Sequence, residues 1–275
     1  MPLVYACIAP HGGEIVPALA GRKLSLFSPT RKGMKALASE MKAARPDSIV
    51  IASPHNLRLF RHIGVVTAEH TSGRVSEGRR EIKLRVRCDV ALAKELLDAG
   101  GSKGLPVVGA NYGVQEGPLS DMAMDWGTLV PLWFLLKGTG LKSQVVIVTP
   151  SREIPLRENY EFGRVVARVS GASKKRVAFV ASADQAHAHQ RKGPYGYDPR
   201  AAEYDEAVAE AIRRDRLGEI VLKMEPGFVE GAKPDSLWQM AMLAGALSEV
   251  PMRGELLSYQ VPTYYGMLCA GYRPT

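Results

Sequence analysis

Histidine and cysteine, the side chains that most often hold metals or carry nucleophilic chemistry, are both scarce here: six and three among 275 residues. Cys7, Cys88 and Cys269 show no paired spacing. That argues against a disulfide framework and fits a reducing, cytoplasmic compartment. Long apolar runs are missing too: nothing reaches the roughly 20 residues a spanning helix needs. The apolar run to Ala9 is too short for a signal segment, and Met1-Pro-Leu-Val lacks a basic lead, so neither export nor membrane insertion is expected. Repeats, low-complexity tracts and Pro/Ser linkers are absent as well. With 46% hydrophobic and 23% charged residues, the chain reads as one domain, 1–275, with a sizeable core.

Acid is the charge in short supply, leaving a formal net charge of +8. Such an excess raises the question of nucleic acid. Much of it is local, in Arg74, Arg79, Arg80, Lys83, Arg85 and Arg87. There Ile82, Leu84 and Val86 alternate with Lys83, Arg85 and Arg87, the pattern of an edge strand with one wet face. No aromatic residue interleaves with those charges, so a stacking platform for bases is lacking and no nucleic-acid partner is expected. A basic surface can still steer anionic small molecules toward a cleft.

The few histidines are not scattered. Leu3–Ala9 runs into Pro10-His11-Gly12-Gly13, Ser48–Ser53 into Pro54-His55-Asn56, and Arg176–Ser182 into Ala183-Asp184-Gln185-Ala186-His187-Ala188-His189. Each is a buried-strand pattern followed at once by a turn that carries histidine. In an open α/β sheet the parallel strands end at one edge, and ligands bind outside their carboxyl ends. Histidines dozens of residues apart would therefore meet at one rim. Imidazole is the commonest protein metal ligand and the usual proton shuttle near neutral pH.

Between these strands the pattern alternates. A helix is expected from an N-cap at Thr30 to just before Pro46, another capped by Asp89, and a buried one over Trp126–Leu136 with Pro131 tolerated in its first turns. Gln144–Thr149 is a core strand. Helices are expected over 156–169 and 199–214, and over 234–247 with Pro234 at the first position. Glu255–Val261 and Thr263–Ala270 read as two closing strands. The fold class is α/β: a single-domain, three-layer α/β/α arrangement with a mostly parallel central sheet.

Among the site candidates, the two Pro-His turns at His11 and His55 suggest a metal pair, and Gly12 and Gly13 let the backbone turn and a ligand approach. His62 and His70 read as surface residues. His187 reads as a catalytic base, with Asp184 orienting its ring and His189 lining the loop; an H-x-H metal pair is the alternative. A carboxylate should offset the metal's charge, and Glu225, Glu230 and Asp235 are the late candidates. Asp235 would be mounted at the helix start, although the helix dipole alone favours aspartate there. Tyr195, Trp126 and Tyr264 are expected as pocket walls from loop placement.

These segments resemble a known family. Ala9-Pro-His-Gly-Gly13, Ser53-Pro-His-Asn56, Asp125-Trp-Gly-Thr-Leu-Val-Pro-Leu132, Ser182-Ala-Asp-x-x-His187 and the late Leu-Trp-Gln helix are similar, in order, to the class III extradiol ring-cleavage dioxygenases. That family includes the catalytic subunits of protocatechuate 4,5-dioxygenase and 2-aminophenol 1,6-dioxygenase. The resemblance implies that His11 and His55 bind iron(II) with a late carboxylate, that His187 is the acid/base residue, and that the substrates are dioxygen and a catechol or 2-aminophenol. It also implies a homodimer or a complex with a related subunit. Two departures stand out. The usual third ligand is Glu, where Asp235 (or Glu230 nearby) stands here, and Trp126 occupies the place of a histidine in an Asp-His-Gly motif. A zinc hydrolase and a Memo-like binding module are the competing expectations.

Overall fold

Residues 3–275 are described by the computed structural model. The strands, in chain order, are β1 (Leu3–Ala9), β2 (Ser48–Ala52), β3 (Ile63–Val66), β4 (His70–Glu77), β5 (Arg80–Arg87), β6 (Val107–Ala110) and β7 (Asp121–Ala123). They continue with β8 (Gln144–Thr149), β9 (Val177–Ser182), β10 (Asp184–Ala186), β11 (Pro234–Asp235), β12 (Met252–Gln260) and β13 (Met267–Pro274). The helices are α1 (Pro17–Ala20), α2 (Ser28–Ala44), α3 (Val90–Ser102), α4 (Trp126–Leu132), α5 (Leu156–Ala172), α6 (Arg200–Arg213), α7 (Leu217–Val221), α8 (Pro226–Ala232) and α9 (Leu237–Glu249).

The architecture is α/β/α. The sheet runs β11-β10-β13-β1-β9-β2-β8-β3-β6, with β12 added outside β13. Its centre, β1-β9-β2-β8, is parallel throughout. Antiparallel pairings attach β13 on one side and β3 on the other. The central strands are apolar on both faces because both faces are covered. Val50, Val146 and Phe179 point into one core with α3, α5, α6 and α9. Ile51, Ile147 and Val180 point into the other with α2 and α4. The basic strand β5 is, as its alternation predicts, the edge of a separate three-stranded sheet, β5-β4-β7.

Several boundaries differ from the expectation for local reasons. Asp89 does cap α3, accepting the Leu92 N–H at 3.2 Å. Thr30 does not cap α2, which already starts at Ser28; Pro29 prefers the first turn, so the helix begins ahead of it. The helix over Trp126–Leu136 is regular only to Leu132 and continues as a π turn over Trp133–Lys137. The last strand begins at Met267, leaving 261–266 as the turn that carries Tyr264 and Tyr265.

The correction that matters most is at Pro234. The apolar helix starts at Leu237, and Pro234-Asp235 forms the short strand β11 against β10, with Asp184 opposite Asp235 and Ala186 opposite Pro234. β11 is an edge strand, where a proline's missing N–H costs no ladder bond. Gln239, in the first turn of α9, donates its side-chain amide to the carbonyls of both Ser182 and Asp235, at 2.8 and 2.7 Å.

Helix α9 is apolar all round because it is buried between α5 and the sheet. Its contact with α5 runs through two glycines: a Cβ at Gly163 would overlap the Met242 carbonyl, and one at Gly245 the Tyr160 carbonyl. Alanine at either site gains about 1 kcal/mol of helix propensity. Overlap with a rigid backbone costs about 1–3 kcal/mol and outweighs it. Chemical denaturation should therefore find G163A and G245A less stable than the wild type. A Cβ at Gly101 in α3 would meet nothing within 4 Å, so G101A should show no such loss.

Candidate metal centre

The parallel register brings the histidine turns together. Ala9 of β1 lies opposite Ser182 of β9, and Ala52 of β2 opposite Ala181. His11 leaves β1 two residues later and His55 leaves β2 three residues later, so both rings reach one rim. Their Nε2 atoms are 3.2 Å apart, with the rings edge to face. Gly12 has an ordinary φ of −59°, so its value is space: a Cβ there would strike Tyr265 and Met267. His11 is buried, and its Nδ1 lies 2.9 Å from Ser182 Oγ. His55 is half-buried beneath Trp126, the two rings stacked with centroids 4.2 Å apart.

Asp235 is the carboxylate that β11 delivers to these rings. Its Oδ2 is 2.7 Å from His55 Nε2 and 3.5 Å from His11 Nε2. Glu230 lies outside on α8, paired with Lys233 at 2.7 Å, and Glu225 is exposed ahead of the same helix. Among the described residues, His11, His55 and Asp235 form the one cluster with metal-ligand geometry. A ligand distance of about 2.1 Å gives ligand-to-ligand edges of about 3.0 Å in an octahedron and 3.4 Å in a tetrahedron. The observed edges of 2.7, 3.2 and 3.5 Å fit one triangular face around a cation.

The electrostatics agree with that fit. Burial disfavours charge on His11, yet Asp184 and Asp235 outweigh it and raise its pKa. Burial pushes the Asp235 carboxyl up, but hydrogen bonds from His11 and His55 more than reverse this and hold it well below the usual carboxylate range. Both shifts come from the carboxylates and imidazoles packed around one point. Arg152, in the turn after β8, binds the other oxygen, Oδ1, of Asp235. Its guanidinium also lies 4.5 Å over the Trp238 ring.

His187 faces the same cavity, of about 590 Å³, which His11, His55, Asp235, Tyr195 and Tyr264 also line. Its Nδ1 lies 2.9 Å from the Gln185 carbonyl. A carbonyl only accepts, so Nδ1 carries the proton and Nε2 is the basic nitrogen. Burial lowers the pKa of His187, and Asp184 and Asp235 offset this only in part. The ring is therefore neutral at pH 7. Tyr265 stacks on it at 5.2 Å, and Tyr195 and Tyr264 approach at 5.5 and 5.8 Å. Burial raises the phenol pKa values of Tyr265 and Tyr264, which keeps both as donors. The Tyr265 hydroxyl donates to Glu14 at 3.3 Å.

One expectation for this loop and one alternative reading fail. Asp184 does not orient His187. Its Oδ1 accepts the His11 backbone N–H at 3.0 Å, because β10 turns that side chain back toward β1. An H-x-H pair does not form either: His189 turns away to Asp205 at 2.9 Å. Asp205 is buried on α6 and also accepts from the Ala186 N–H and the Tyr259 hydroxyl, clamping the loop on both sides of His187. Sequence reasoning passed over Ser182, Arg152, Trp238, Glu14 and Tyr265. The one available signal was that β8, like the other parallel strands, must also end at the rim, which puts Arg152 there.

The chain is similar to known proteins in sequence and in fold. The family described as the catalytic LigB subunit of aromatic ring-opening dioxygenase matches residues 5–268. Protein CA_C1420 of Clostridium acetobutylicum is 23% identical over 254 residues; the match covers 92% of this chain and 54% of that protein, so the chain spans about half its relative's length. The crystal structure of an uncharacterized protein from Escherichia coli K12, JW3007, shares the fold with a TM-score of 0.61 and 17% identity, covering 98% of this chain and 99% of that one. With nearly its whole length matched, the chain belongs to the family of catalytic LigB subunits of aromatic ring-opening dioxygenases.

Proposed function

We propose that the chain is a non-haem iron(II) dioxygenase that opens a catechol or 2-aminophenol ring beside the paired heteroatoms, giving a semialdehyde. Residues 1–275 serve as one catalytic domain, with His11, His55 and Asp235 as the iron ligands and His187 as the acid/base. The observation that carries this reading is the convergence of two imidazole Nε2 atoms and one carboxylate oxygen on a single point, beside a neutral, aromatic-lined histidine. A 2-His-1-carboxylate face with open positions opposite is the donor set associated with non-haem iron(II) oxygenases, and the ion would supply binding of the ring heteroatoms and of dioxygen.

The remaining work falls to the protein. His187 Nε2 takes a proton from the substrate hydroxyl and returns one as the ring opens, which suits an imidazole held neutral by burial. Tyr195 and Tyr264 wall the aromatic ring. Trp126 covers His55 and excludes water from that side of the centre. Arg152 keeps one oxygen of Asp235 occupied and so turns the other toward the histidines. This offsets the shorter reach of aspartate where glutamate is usual.

The direct test is anaerobic reconstitution with iron(II), followed by oxygen uptake with a panel of catechols and 2-aminophenols. Uptake matched by a semialdehyde absorbance supports the reading. Tight zinc, no uptake and ester or amide hydrolysis would replace it with a hydrolase, and no metal binding at all with a binding module.

Three outcomes are expected of variants. H11A and H55A should each lose bound iron on metal analysis while keeping the wild-type circular dichroism. D235N should lose most of its iron affinity while E230Q keeps it; the reverse would move the carboxylate to Glu230. H187A should retain iron but lose turnover by about two to four orders of magnitude, the usual worth of a positioned base. Because the His187 pKa is lowered, protonation should abolish activity only below the ordinary imidazole value of about 6.5. A pH–rate profile of wild-type enzyme with its acid limb above that value would remove His187 from the role.

A further inference from the structure

We propose that Ser182 is a positioning residue that holds His11 in the tautomer a metal requires, and that Pro131 keeps it in that role from across the core. The inference rests on the metal-centre reading and adds a residue to it. Pro131 lies in α4, and four residues earlier stands Gly127. In a regular helix the Gly127 carbonyl would accept the N–H of residue 131; proline has none to give. That carbonyl is instead satisfied by the Ser182 hydroxyl, which is fully buried at the end of β9.

A serine hydroxyl has a single proton. The Gly127 carbonyl can only accept, so the proton of Ser182 is committed to it. The second neighbour of Ser182 Oγ is His11 Nδ1, at 2.9 Å. With its proton spent, Oγ must accept there, and His11 therefore carries its hydrogen on Nδ1. In the neutral ring Nε2, which donates to Asp235 only while His11 is charged, is left with a bare lone pair facing His55 Nε2 and Asp235 Oδ2.

The competing tautomer is a real alternative in this site. With the proton on Nε2, His11 could donate to Asp184 Oδ2 at 3.3 Å or to Asp235 Oδ2 at 3.5 Å. That proton would occupy the direction a cation needs. Ser182 closes this route, because Nδ1 would then face a hydroxyl oxygen with no hydrogen to offer. The rings are thus held by different means: His55 by stacking under Trp126, His11 by a donor chain that begins at a proline.

The test is zinc(II) and anaerobic iron(II) titration calorimetry on the full chain, with thermal unfolding run alongside. S182A should weaken both metals about tenfold to a hundredfold, the usual cost of losing the partner of a metal-bound imidazole. S182T keeps a hydroxyl and should recover most of that affinity. P131A touches no side chain at the centre. It returns a backbone N–H to the Gly127 carbonyl, which then no longer depends on the Ser182 proton; that proton can turn toward His11 Nδ1, and binding should weaken by less than in S182A.

Wild-type affinity in S182A would overturn the proposal while leaving the metal reading intact. Equal losses in S182A and S182T would also overturn it, since shape and not the hydroxyl would then matter. Failure of the wild-type protein to bind either metal would remove the metal reading instead. The tautomer claim stays testable in that case through imidazole ¹⁵N shifts of metal-free protein above the His11 titration. Those should show the proton on Nδ1 in wild type and on Nε2 in S182A; an unchanged pattern would overturn it.

Discussion

Everything at the rim depends on the parallel ladder of β1, β9, β2 and β8. Hydrogen bonding fixes which residues sit side by side, and four strand ends are thereby held in one row: Ala9, Ser182, Ala52 and Val148 are cross-strand neighbours or next to them. No side chain at the site could create that row. Each turn needs only to leave its strand and project a ring, because the ladder has already supplied the distance and the direction. Burial on both faces then makes slippage costly, since a shift of one residue would move Val50 and Ile51 into each other's cores.

On that scaffold the charges are arranged around a single point. Asp235 is shared, one oxygen turned to the histidines and the other to Arg152, and Asp184 stands behind His11 on its backbone N–H. Two buried carboxylates so close together would repel; two imidazoles and a guanidinium keep them apart in role. His187 is treated differently. Its polar partner is a neutral carbonyl and its other neighbours are tyrosine rings, so it stays uncharged beside a site that favours cations. Two environments lining one cavity thus push their imidazoles in opposite directions.

How much of this was legible in the sequence follows from the range of the interactions. The strand-turn-histidine pattern is local, and it carried both the layer architecture and the meeting of His11 with His55. The basic edge strand and the Asp89 cap were legible for the same reason. What sequence reading missed depends on partners far along the chain. Pro234 resembles a helix start, and only the pairing of Asp235 with Asp184 converts it to a strand. Asp184 three residues before His187 invites a hydrogen bond between them, but the turn of β10 sends the carboxylate to His11, 173 residues away. Arg152 and Trp238 meet over a gap that no spacing rule spans. Local pattern yields elements, while the contacts that tune a site come from tertiary pairing.

The stack of Trp126 on His55 has an optical consequence. Indole emission is sensitive to a cation or a charged ring in van der Waals contact, and this indole is stacked on His55 while about half exposed to solvent. A second tryptophan, Trp238, lies under Arg152, which in turn holds Asp235. Two of the three tryptophans of the chain therefore line the cavity of the centre. The protein carries its own fluorescent gauge of what occupies the point between the histidines, and no label has to be attached to read it.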